Sequence, residues 1–251
     1  MRYLFILFLF ITSSITLIAQ EDKSYTSLDE ALKTPEQVYK LNLSFNELKS
    51  LPKSISLLIN LKELDLSNNH LKSLPKTIGL LSNLTKLSLE RNKLKSLPES
   101  IGMLTMLTEL NLKDNSITSL PESIGTLTNL VMLELPHNDL QKLPESIGML
   151  TKLTNLDLYR SKLTNLPESI GNLINLSALS FGENELTNLP ESIGNLTNLF
   201  SLDLYENPLN SLPNSIGNLN KLTELALIGS ELSEIEKERI VKLLPDCNVI
   251  F

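Results

Sequence analysis

The side chains best suited to acid–base chemistry in this 251-residue chain are its two histidines, His70 and His137. Asp114 and Glu134, from neighbouring segments, could join His137 in an arrangement of the Ser-His-Asp type. Nothing in the sequence supplies an activated serine turn or an oxyanion hole, and the nine glycines occur singly rather than in a phosphate-binding loop. We therefore predict no catalytic residues and no enzymatic activity.

A second kind of chemistry would use acidic residues of the later half to hold a cation such as calcium. The candidates are Glu134, Asp157, Glu183, Asp203 and Glu206. A solvated acidic face explains the same residues and is favoured, so we predict no metal site and no cofactor. The single cysteine, Cys247, excludes internal disulfides and zinc sites built from cysteine pairs. The net charge of −7 argues against nucleic acid as a partner.

The elements that must position these side chains are repeats of 23 residues. One copy reads LKELDLSNNHLKSLPKTIGLLSN from Leu61, and the next, LTKLSLERNKLKSLPESIGMLTM, follows directly from Leu84. With a leading copy from Val38, the chain contains eight full copies and a partial ninth, without insertions. Each copy has the form LxxLxLxxNxLxxLPxxIGxLxx.

Each copy combines two periodicities. Apolar residues alternate in the LxLxx part, as in a β-strand with one buried face. The later leucine and isoleucine positions are spaced four and three apart, which predicts a helical or 3₁₀ return packed against the strand. Proline begins this return, where its missing N–H does least harm, and the glycine provides either a close approach or a positive φ. Only stacked copies can bury their apolar faces, so we predict a continuous core.

An asparagine recurs just after the predicted strand. Its amide can donate and accept hydrogen bonds at once, so we expect it to satisfy backbone groups of its own turn and of the neighbouring coil. These asparagines are Asn46, Asn69, Asn92, Asn115, Asn138, Asn184 and Asn207. Ser161 and Ser230 replace asparagine in two copies, and we expect the hydroxyl to do part of the same work.

This pattern, from Val38 to the C-terminus, resembles the leucine-rich repeat family. Its LPxxIGxLxx half is similar to that of Ras-group scaffold proteins and of many bacterial members of the family. The resemblance implies an α/β leucine-rich-repeat solenoid, shaped as an arc or horseshoe, with a concave parallel β-sheet and convex 3₁₀ or helical returns. It also implies a protein that binds partners, usually other proteins, through the concave face.

Helical caps are predicted at both ends, because the terminal coils would otherwise expose leucines. Ser27 and Glu30 fit a capping box that starts a short helix before Pro35. Ser233 and Glu236 form a second such pattern near the C-terminus. The apolar face predicted for that second helix comprises Ile235, Ile240, Val241, Leu243 and Leu244. Cys247 alternates with Val249 and Phe251, which predicts a closing strand with a buried, unreactive thiol.

The first residues, MRYLFILFLFITSSITLIAQ, have the layout of a secretory signal peptide. We predict cleavage after Ala19 and no lasting membrane insertion. The alternative is an uncleaved anchor, but the apolar run is short for a membrane span and is interrupted by hydroxyl residues. The resulting division is a signal peptide at 1–19, an N-terminal helical cap at 20–37, eight repeats at 38–221, and the ninth strand with a C-terminal cap at 222–251.

Alternate strand residues point away from the core, so equivalent residues form columns on the concave face. One column alternates in charge through Lys40, Glu63, Lys86 and Glu109, and becomes neutral from Met132. The column after the leucine pair becomes largely apolar or aromatic at the same copy. Its later members are Pro136, Tyr159, Gly182, Tyr205 and Ile228. We expect Gly182 to leave a gap between the two tyrosines that accepts a partner side chain.

These columns define a predicted partner-binding site, because tyrosine and arginine often dominate binding energy. The candidate residues are Met132, His137, Tyr159, Arg160, Gly182, Glu183, Tyr205 and Glu206. Charge divides at the same region: residues 38–106 carry ten basic and five acidic residues, whereas residues 107–221 carry six basic and thirteen acidic residues. This division indicates either a bipolar molecule that orients a partner or contacts an anionic surface, or drift among exposed positions.

We therefore predict an exported, monomeric, non-enzymatic protein that binds a protein partner on its concave face and is released or kept at the cell envelope. One alternative is an intracellular scaffold of the Ras-group type. Another is a surface adhesion protein that binds glycans, since tyrosines beside carboxylates also suit sugars.

Overall fold

The computed structural model describes residues 22–251 and contains one sheet of eleven parallel strands. The order of the strands in the sheet is their order along the chain. They are β1 (Ser24–Tyr25), β2 (Lys40–Asn42), β3 (Glu63–Asp65), β4 (Lys86–Ser88), β5 (Glu109–Asn111), β6 (Met132–Glu134), β7 (Asn155–Asp157), β8 (Ala178–Ser180), β9 (Ser201–Asp203), β10 (Glu224–Ala226) and β11 (Asn248–Ile250). The predicted signal peptide, 1–19, lies outside the described residues.

The repeat length sets the register of the sheet. Leu64 pairs with Leu87, and Leu87 pairs with Leu110, so each residue of β2 to β10 meets its equivalent 23 residues away. A one-residue slip would turn the buried leucines outward, which explains why the register holds through all the copies. The closing strand β11 was predicted, whereas β1 was not and extends the sheet before the first repeat.

The returns are 3₁₀ helices, one of the two forms that the spacing allowed. They follow the strands at Lys53–Leu57, Lys76–Leu80, Glu99–Met103, Glu122–Thr126, Glu145–Met149, Glu168–Asn172, Glu191–Asn195 and Asn214–Asn218, and one more precedes the first repeat at Pro35–Gln37. The carbonyl oxygen of the preceding proline accepts the first bond of each turn, as from the N–H of Ile101 to Pro98 at 2.9 Å. Proline therefore contributes an acceptor where no donor is needed.

The repeated glycine of the returns serves a close approach and not a positive φ. A Cβ atom built on Gly148 would lie 2.4 Å from the carbonyl oxygen of Ser169 in the next coil. The same short distance recurs from Gly79 to Gly194, so consecutive returns can pack this tightly only without a side chain at that position.

The core consists of leucine and isoleucine columns between the sheet and the returns. Its members run from Tyr25 to Leu244, and the largest fully buried side chain is Phe181. A chain that begins at Gln20 therefore contains every core residue and every strand found among residues 22–251.

Six of the seven repeated asparagines bridge consecutive coils in the same way. The side-chain amide of Asn138 donates to the carbonyl oxygens of Leu135 in its own coil and Leu112 in the previous coil, at 2.9 and 3.0 Å. Its Oδ1 accepts from the backbone N–H of Ile117 in that previous coil, at 3.0 Å. Asn46, in the first coil, is exposed, and its amide donates only to the nearby carbonyl oxygen of Ser44.

The expectation that Ser161 partly replaces asparagine is wrong. Its Oγ atom is buried and has no hydrogen-bond partner among residues 22–251. A hydroxyl group is too short to reach the neighbouring coil, because the asparagine bridge depends on the extra length of the amide. The coil pair joined at this position therefore lacks one of its recurrent bridges.

Short helices stand at both ends of the repeats. Helix α1 is Leu28–Ala31, and the Oγ atom of Ser27 accepts from the N–H of Glu30. Helix α2 is Glu234–Leu243, and Ser233 accepts from Glu236 in the same manner. Their role as caps stays a prediction.

The apolar face predicted for α2 is partly wrong. Ile240 and Leu244 are buried and Leu243 packs partly against the core, but Ile235 and Val241 are exposed. At 100° per residue, Val241 points well away from Ile240, so only one side of the helix can meet the core. Cys247 is partly buried against that core, and burial raises the pKa of its thiol.

Candidate functional site

Four of the candidate side chains stand on a ridge formed by the residue just before each asparagine position. Nine consecutive coils place this residue in the left-handed region, with φ of 57° at His137, 55° at Arg160, 50° at Glu183 and 48° at Glu206. For a residue with a side chain this conformation costs about 1–2 kcal/mol. The turn after every strand imposes it, so these side chains leave the backbone in the same direction, coil after coil.

The structure brings four of the predicted residues together. The rings of His137 and Tyr159 lie 5.7 Å apart between centroids, at an interplanar angle of 54°. The hydroxyl of Tyr159 donates a short hydrogen bond to Oε1 of Glu183. The other carboxylate oxygen, Oε2, lies 3.4 Å from Nε of Arg160. One carboxylate therefore holds the tyrosine and the arginine of the preceding coil.

Two further residues extend this cluster and were missed as site residues. Oδ1 of Asp114 lies 3.6 Å from Nδ1 of His137, and its Oδ2 lies 3.4 Å from Nε of Arg91. Both belong to the same left-handed column, with φ of 53° and 51°. The presence of Asn68, Asp114 and Gly229 in that column is the signal that could have revealed it, because these residue types tolerate a positive φ.

The predicted gap at Gly182 is absent, which corrects that prediction. Gly182 is buried, and a Cβ atom built on it would lie 3.0 Å from Cδ2 of Tyr159 and 2.8 Å from Oδ2 of Asp203. The ring of Tyr159 therefore leans over the glycine backbone and fills the space that a partner side chain was expected to occupy. The absence of a side chain at Gly182 allows the ring of Tyr159 to pack against the backbone of the sheet.

The remaining candidates stand apart from the cluster. Tyr205 is partly buried, and its N–H donates to Oδ1 of Asp203 at 3.0 Å, while Glu206 is exposed. Met132 lies in β6 at one end of a concave groove of about 570 Å³. That groove extends over the earlier strands, where the charge column forms the ion pairs Lys40–Glu63 and Lys86–Glu109 at 3.6 and 2.7 Å.

The comparisons with known sequences agree with this repeated geometry. The family model described as leucine-rich repeat region matches residues 110–180 and 155–245, which together exceed half of the chain. The chain belongs to the leucine-rich repeat family. A second model, described as leucine rich repeat, matches residues 36–94 of this leucine-rich repeat protein. A search of curated proteins returns no significant match.

Solved leucine-rich repeat structures match most of the chain. A leucine-rich repeat protein of Leptospira interrogans is 27% identical, with a TM-score of 0.60, over 92% of this chain and 100% of that one. An internalin of Listeria monocytogenes is 25% identical, with a TM-score of 0.73, over 86% of this chain and 61% of that one. The ectodomain of a plant receptor kinase from Arabidopsis thaliana was solved with Casparian strip integrity factor 2. It is 33% identical, with a TM-score of 0.71, over 85% of this chain and 27% of that one.

The leucine-rich repeat fold implies a protein–protein interaction module. Within the part of the chain that the structure describes, no helix has the length and apolar content needed to cross a membrane. In the same residues, no three histidine, cysteine or acidic side chains come together as metal ligands.

Electrostatics around Tyr159 favour its neutral, hydrogen-bonded form in this leucine-rich repeat protein. The hydrogen bond to Glu183, with burial and the charge of that carboxylate, raises the pKa of Tyr159 to about 12. At the ends of β6 and β7, burial raises the pKa of Glu134 and of Asp157, and neighbouring carboxylates raise each pKa further. Oδ1 of Asp157 accepts from the N–H of Tyr159 at 3.0 Å and so fixes its backbone.

Proposed function

We propose that this leucine-rich repeat protein is exported and, as a monomer without catalytic activity, binds a protein partner on the concave face of its later coils. The observation that carries the proposal is the position of Tyr159, whose ring and hydroxyl are both fixed by neighbouring coils. A side chain already held in place loses little conformational entropy on binding, which favours affinity.

The composition of the cluster also supports this site. Tyr159 and Tyr205 are partly exposed aromatic residues, and Arg160 is largely exposed beside them. Tyrosine and arginine are enriched among the residues that dominate binding energy, and such residues cluster near the centre of an interface. The plant ectodomain, a related fold, was solved in complex with Casparian strip integrity factor 2.

A pull-down that uses the mature protein, starting at Gln20, as bait tests this proposal. Alanine at Tyr159 and at Tyr205 should each weaken binding of the captured partner by at least about 2 kcal/mol, the usual threshold for a dominant interface residue. Lys113→Ala, in the same column two coils before Tyr159, is the matched control and should leave the affinity unchanged. Unchanged affinity in both tyrosine variants would exclude this site.

Export is supported by the signal-like first residues, and fractionation of a tagged full-length chain tests it. Release or envelope location of a shortened chain is the expected result. Full-length protein in the cytosol would instead favour the intracellular scaffold. Sequencing the N-terminus of the mature chain would check cleavage after Ala19.

A glycan-binding adhesion protein remains the second candidate, because the rings of Tyr159 and Tyr205 lie partly exposed near the carboxylates of Glu183 and Glu206. Rings beside acceptors suit the apolar face and hydroxyls of a sugar. A glycan array probed with the mature protein separates the two: specific sugar binding that is lost in Tyr159→Ala supports adhesion, and absence of sugar binding supports the protein partner.

A further inference from the structure

The convex side of the first three coils carries a continuous apolar surface. Leu57, Leu80 and Met103 end consecutive 3₁₀ returns and are 57%, 52% and 53% exposed. Ile59 and Met106, just beyond two of these returns, are 55% and 51% exposed. Consecutive returns pack against each other, so these side chains form one stripe and not scattered exposures.

The stripe is continuous through the three early coils and is thinner later, where Met149 and Ile174, at the positions of Met103 and Ile59, are 54% and 51% exposed. In the later returns the same position is occupied by Thr126, Met149, Asn172, Asn195 and Asn218. Only Met149 among these is apolar. Because the fold accepts asparagine at this position, its stability does not require the exposed leucines and methionine.

Lysines without ion-pair partners accompany the apolar stripe. Six of these lysines are exposed: Lys53 and Lys76 begin returns, Lys49, Lys72 and Lys95 lie on the edge between the strands and the returns, and Lys93 lies in the turn just after Asn92. Among residues 22–251 none of them forms an ion pair, whereas Lys40 and Lys86, on the concave face of the same coils, pair with Glu63 and Glu109. The charges of these six lysines are therefore not neutralised by ion pairs within the described residues.

The charge changes in the same region as the apolar stripe. Lys53 and Lys76 begin the returns that Leu57 and Leu80 end, four residues or about 8 Å away at the rise of a 3₁₀ helix. From the third return onward this first position becomes acidic, as Glu99, Glu122, Glu145, Glu168 and Glu191. Lysines and exposed apolar residues thus occur in the same coils. The lysines at the starts of the returns give way to acidic residues about one coil before the apolar residues at their ends give way to polar ones.

We propose that this surface, formed by Leu57, Ile59, Leu80, Met103 and Met106 with the five exposed lysines of the edge and the return starts, docks the protein on a lipid bilayer that contains anionic headgroups. Apolar side chains flanked by lysines are the composition that lies in the interfacial region of a membrane. Each lysine near an anionic surface strengthens binding by about 1 kcal/mol, or about fivefold. A second copy of the chain fits this surface poorly, because two such lysine clusters would face each other and repel.

Docking on this side leaves the concave face open. The solenoid would lie with its early convex side on the membrane and its sheet toward solvent, so a partner could still reach Tyr159. This inference is independent of the proposed partner site, and either can fail while the other holds.

The test is sedimentation of the chain starting at Gln20 with lipid vesicles. Vesicles of equal parts phosphatidylglycerol and phosphatidylcholine should bind the protein, and vesicles of phosphatidylcholine alone should bind at least tenfold more weakly. Added salt should reduce binding to the anionic vesicles, because it screens the lysines. No binding to anionic vesicles, or equal binding to both kinds, would overturn the proposal.

Variants taken from the protein's own later coils make the test specific. The triple variant Leu57→Asn, Leu80→Asn, Met103→Asn and the double variant Lys53→Glu, Lys76→Glu should each lower vesicle affinity at least tenfold. Met149→Asn, at the equivalent position of an acidic coil, is the matched control and should bind as the parent does. Circular dichroism checks that each variant is folded.

Two results would contradict the assignment of this surface. Triple and double variants that bind vesicles as the parent protein does would show that other residues make the contact. A parent protein that dimerises in sedimentation equilibrium, with the triple variant monomeric and neither bound to vesicles, would show that a second copy covers the stripe.

Discussion

The hydroxyl of Tyr159 donates a hydrogen bond to the carboxylate of Glu183, 24 residues later in the chain and one coil further along the sheet. The same carboxylate lies beside Arg160, and the ring of Tyr159 contacts His137 on its other side. Three consecutive coils therefore hold one another's exposed side chains, and the solenoid presents them as a single ordered surface.

The ionisation of Tyr159 should depend on Glu183. Replacing Glu183 by Gln removes the negative charge next to the phenol, so the pKa of Tyr159 should fall from about 12 toward its ordinary value of 10.0. Spectrophotometric titration of tyrosinate, with Tyr159→Phe as the subtraction reference, measures this shift. Glu206→Gln, the equivalent carboxylate one coil later, is the control and should leave the titration unchanged.

The bridging asparagines should be exchangeable with serine at predictable cost. Ser161→Asn should raise the free energy of unfolding by about 1 kcal/mol, because the longer amide can reach the previous coil and satisfy groups that serine leaves unpaired. Asn138→Ser should lower it by about 2 kcal/mol or more, since two hydrogen bonds of the asparagine side chain reach the neighbouring coil.

Urea unfolding of both variants beside the parent protein gives these values. The dependence of the free energy on urea concentration should stay the same, which shows that the denatured state has not changed. Destabilisation by Ser161→Asn would mean that the coil cannot accommodate the amide, contrary to the structure.

The pH dependence of stability should respond to Asp157. Burial raises its folded-state pKa above the ordinary value of 3.8, so its contribution to stability is complete below the unfolded pKa and is lost as the pH rises through the folded pKa. Asp157→Asn should therefore be more stable than the parent at neutral pH, with a difference that shrinks toward acidic pH. Asn111 makes the equivalent bond to the N–H of Lys113 at 2.9 Å, so asparagine keeps the turn.

Urea unfolding at neutral and at mildly acidic pH measures that difference. Glu134→Gln, in the adjacent strand, should show the same sign, because burial is also the main cause of its raised pKa. An advantage of Asp157→Asn that grows as the pH falls would contradict the argument.

The glycines of the returns should differ in their tolerance of alanine. Gly148→Ala should cost about 1–3 kcal/mol, because its new Cβ would lie 2.4 Å from a backbone oxygen that cannot move alone. Gly217→Ala, in the last return, meets only Leu243, with Cδ2 at 3.3 Å, and should be nearly neutral. Thermal unfolding of the two variants provides the comparison, and equal losses would show that close packing of the returns is not the cause.

The leucine and isoleucine columns could be predicted from the sequence because burial acts at every copy in the same way. Leu64, Leu87 and Leu110 occupy the same place in three coils, and the repeat length alone sets their pairing. The 3₁₀ returns followed from the same regularity. The strand β1 could not be predicted, since Ser24 and Tyr25 precede the repeats and no periodicity covers them.

The details of the candidate site depend on contacts between coils. The alternation of residues within a single strand does not reveal such contacts. The column position of Tyr159 was evident from the sequence. The packing of its ring against Gly182 was not, because it depends on the absence of a side chain at that glycine, one coil later. Arg91 and Asp114 were missed because the left-handed turn, and not strand alternation, directs their side chains. Which of these residues contacts a partner is a prediction that binding experiments must test.

The missing bridge at Ser161 also has a mechanical consequence. Because coils of a solenoid are coupled only to their neighbours, a pulling force opens the weakest junction first. Ser161 and Ser230 each mark a junction that lacks the asparagine bridge, and that of Ser161 lies between the coil of His137 and the coil of Tyr159. The rings of His137 and Tyr159 contact each other across the Ser161 junction. A partner that binds both rings would therefore stabilise this junction and stiffen the arc.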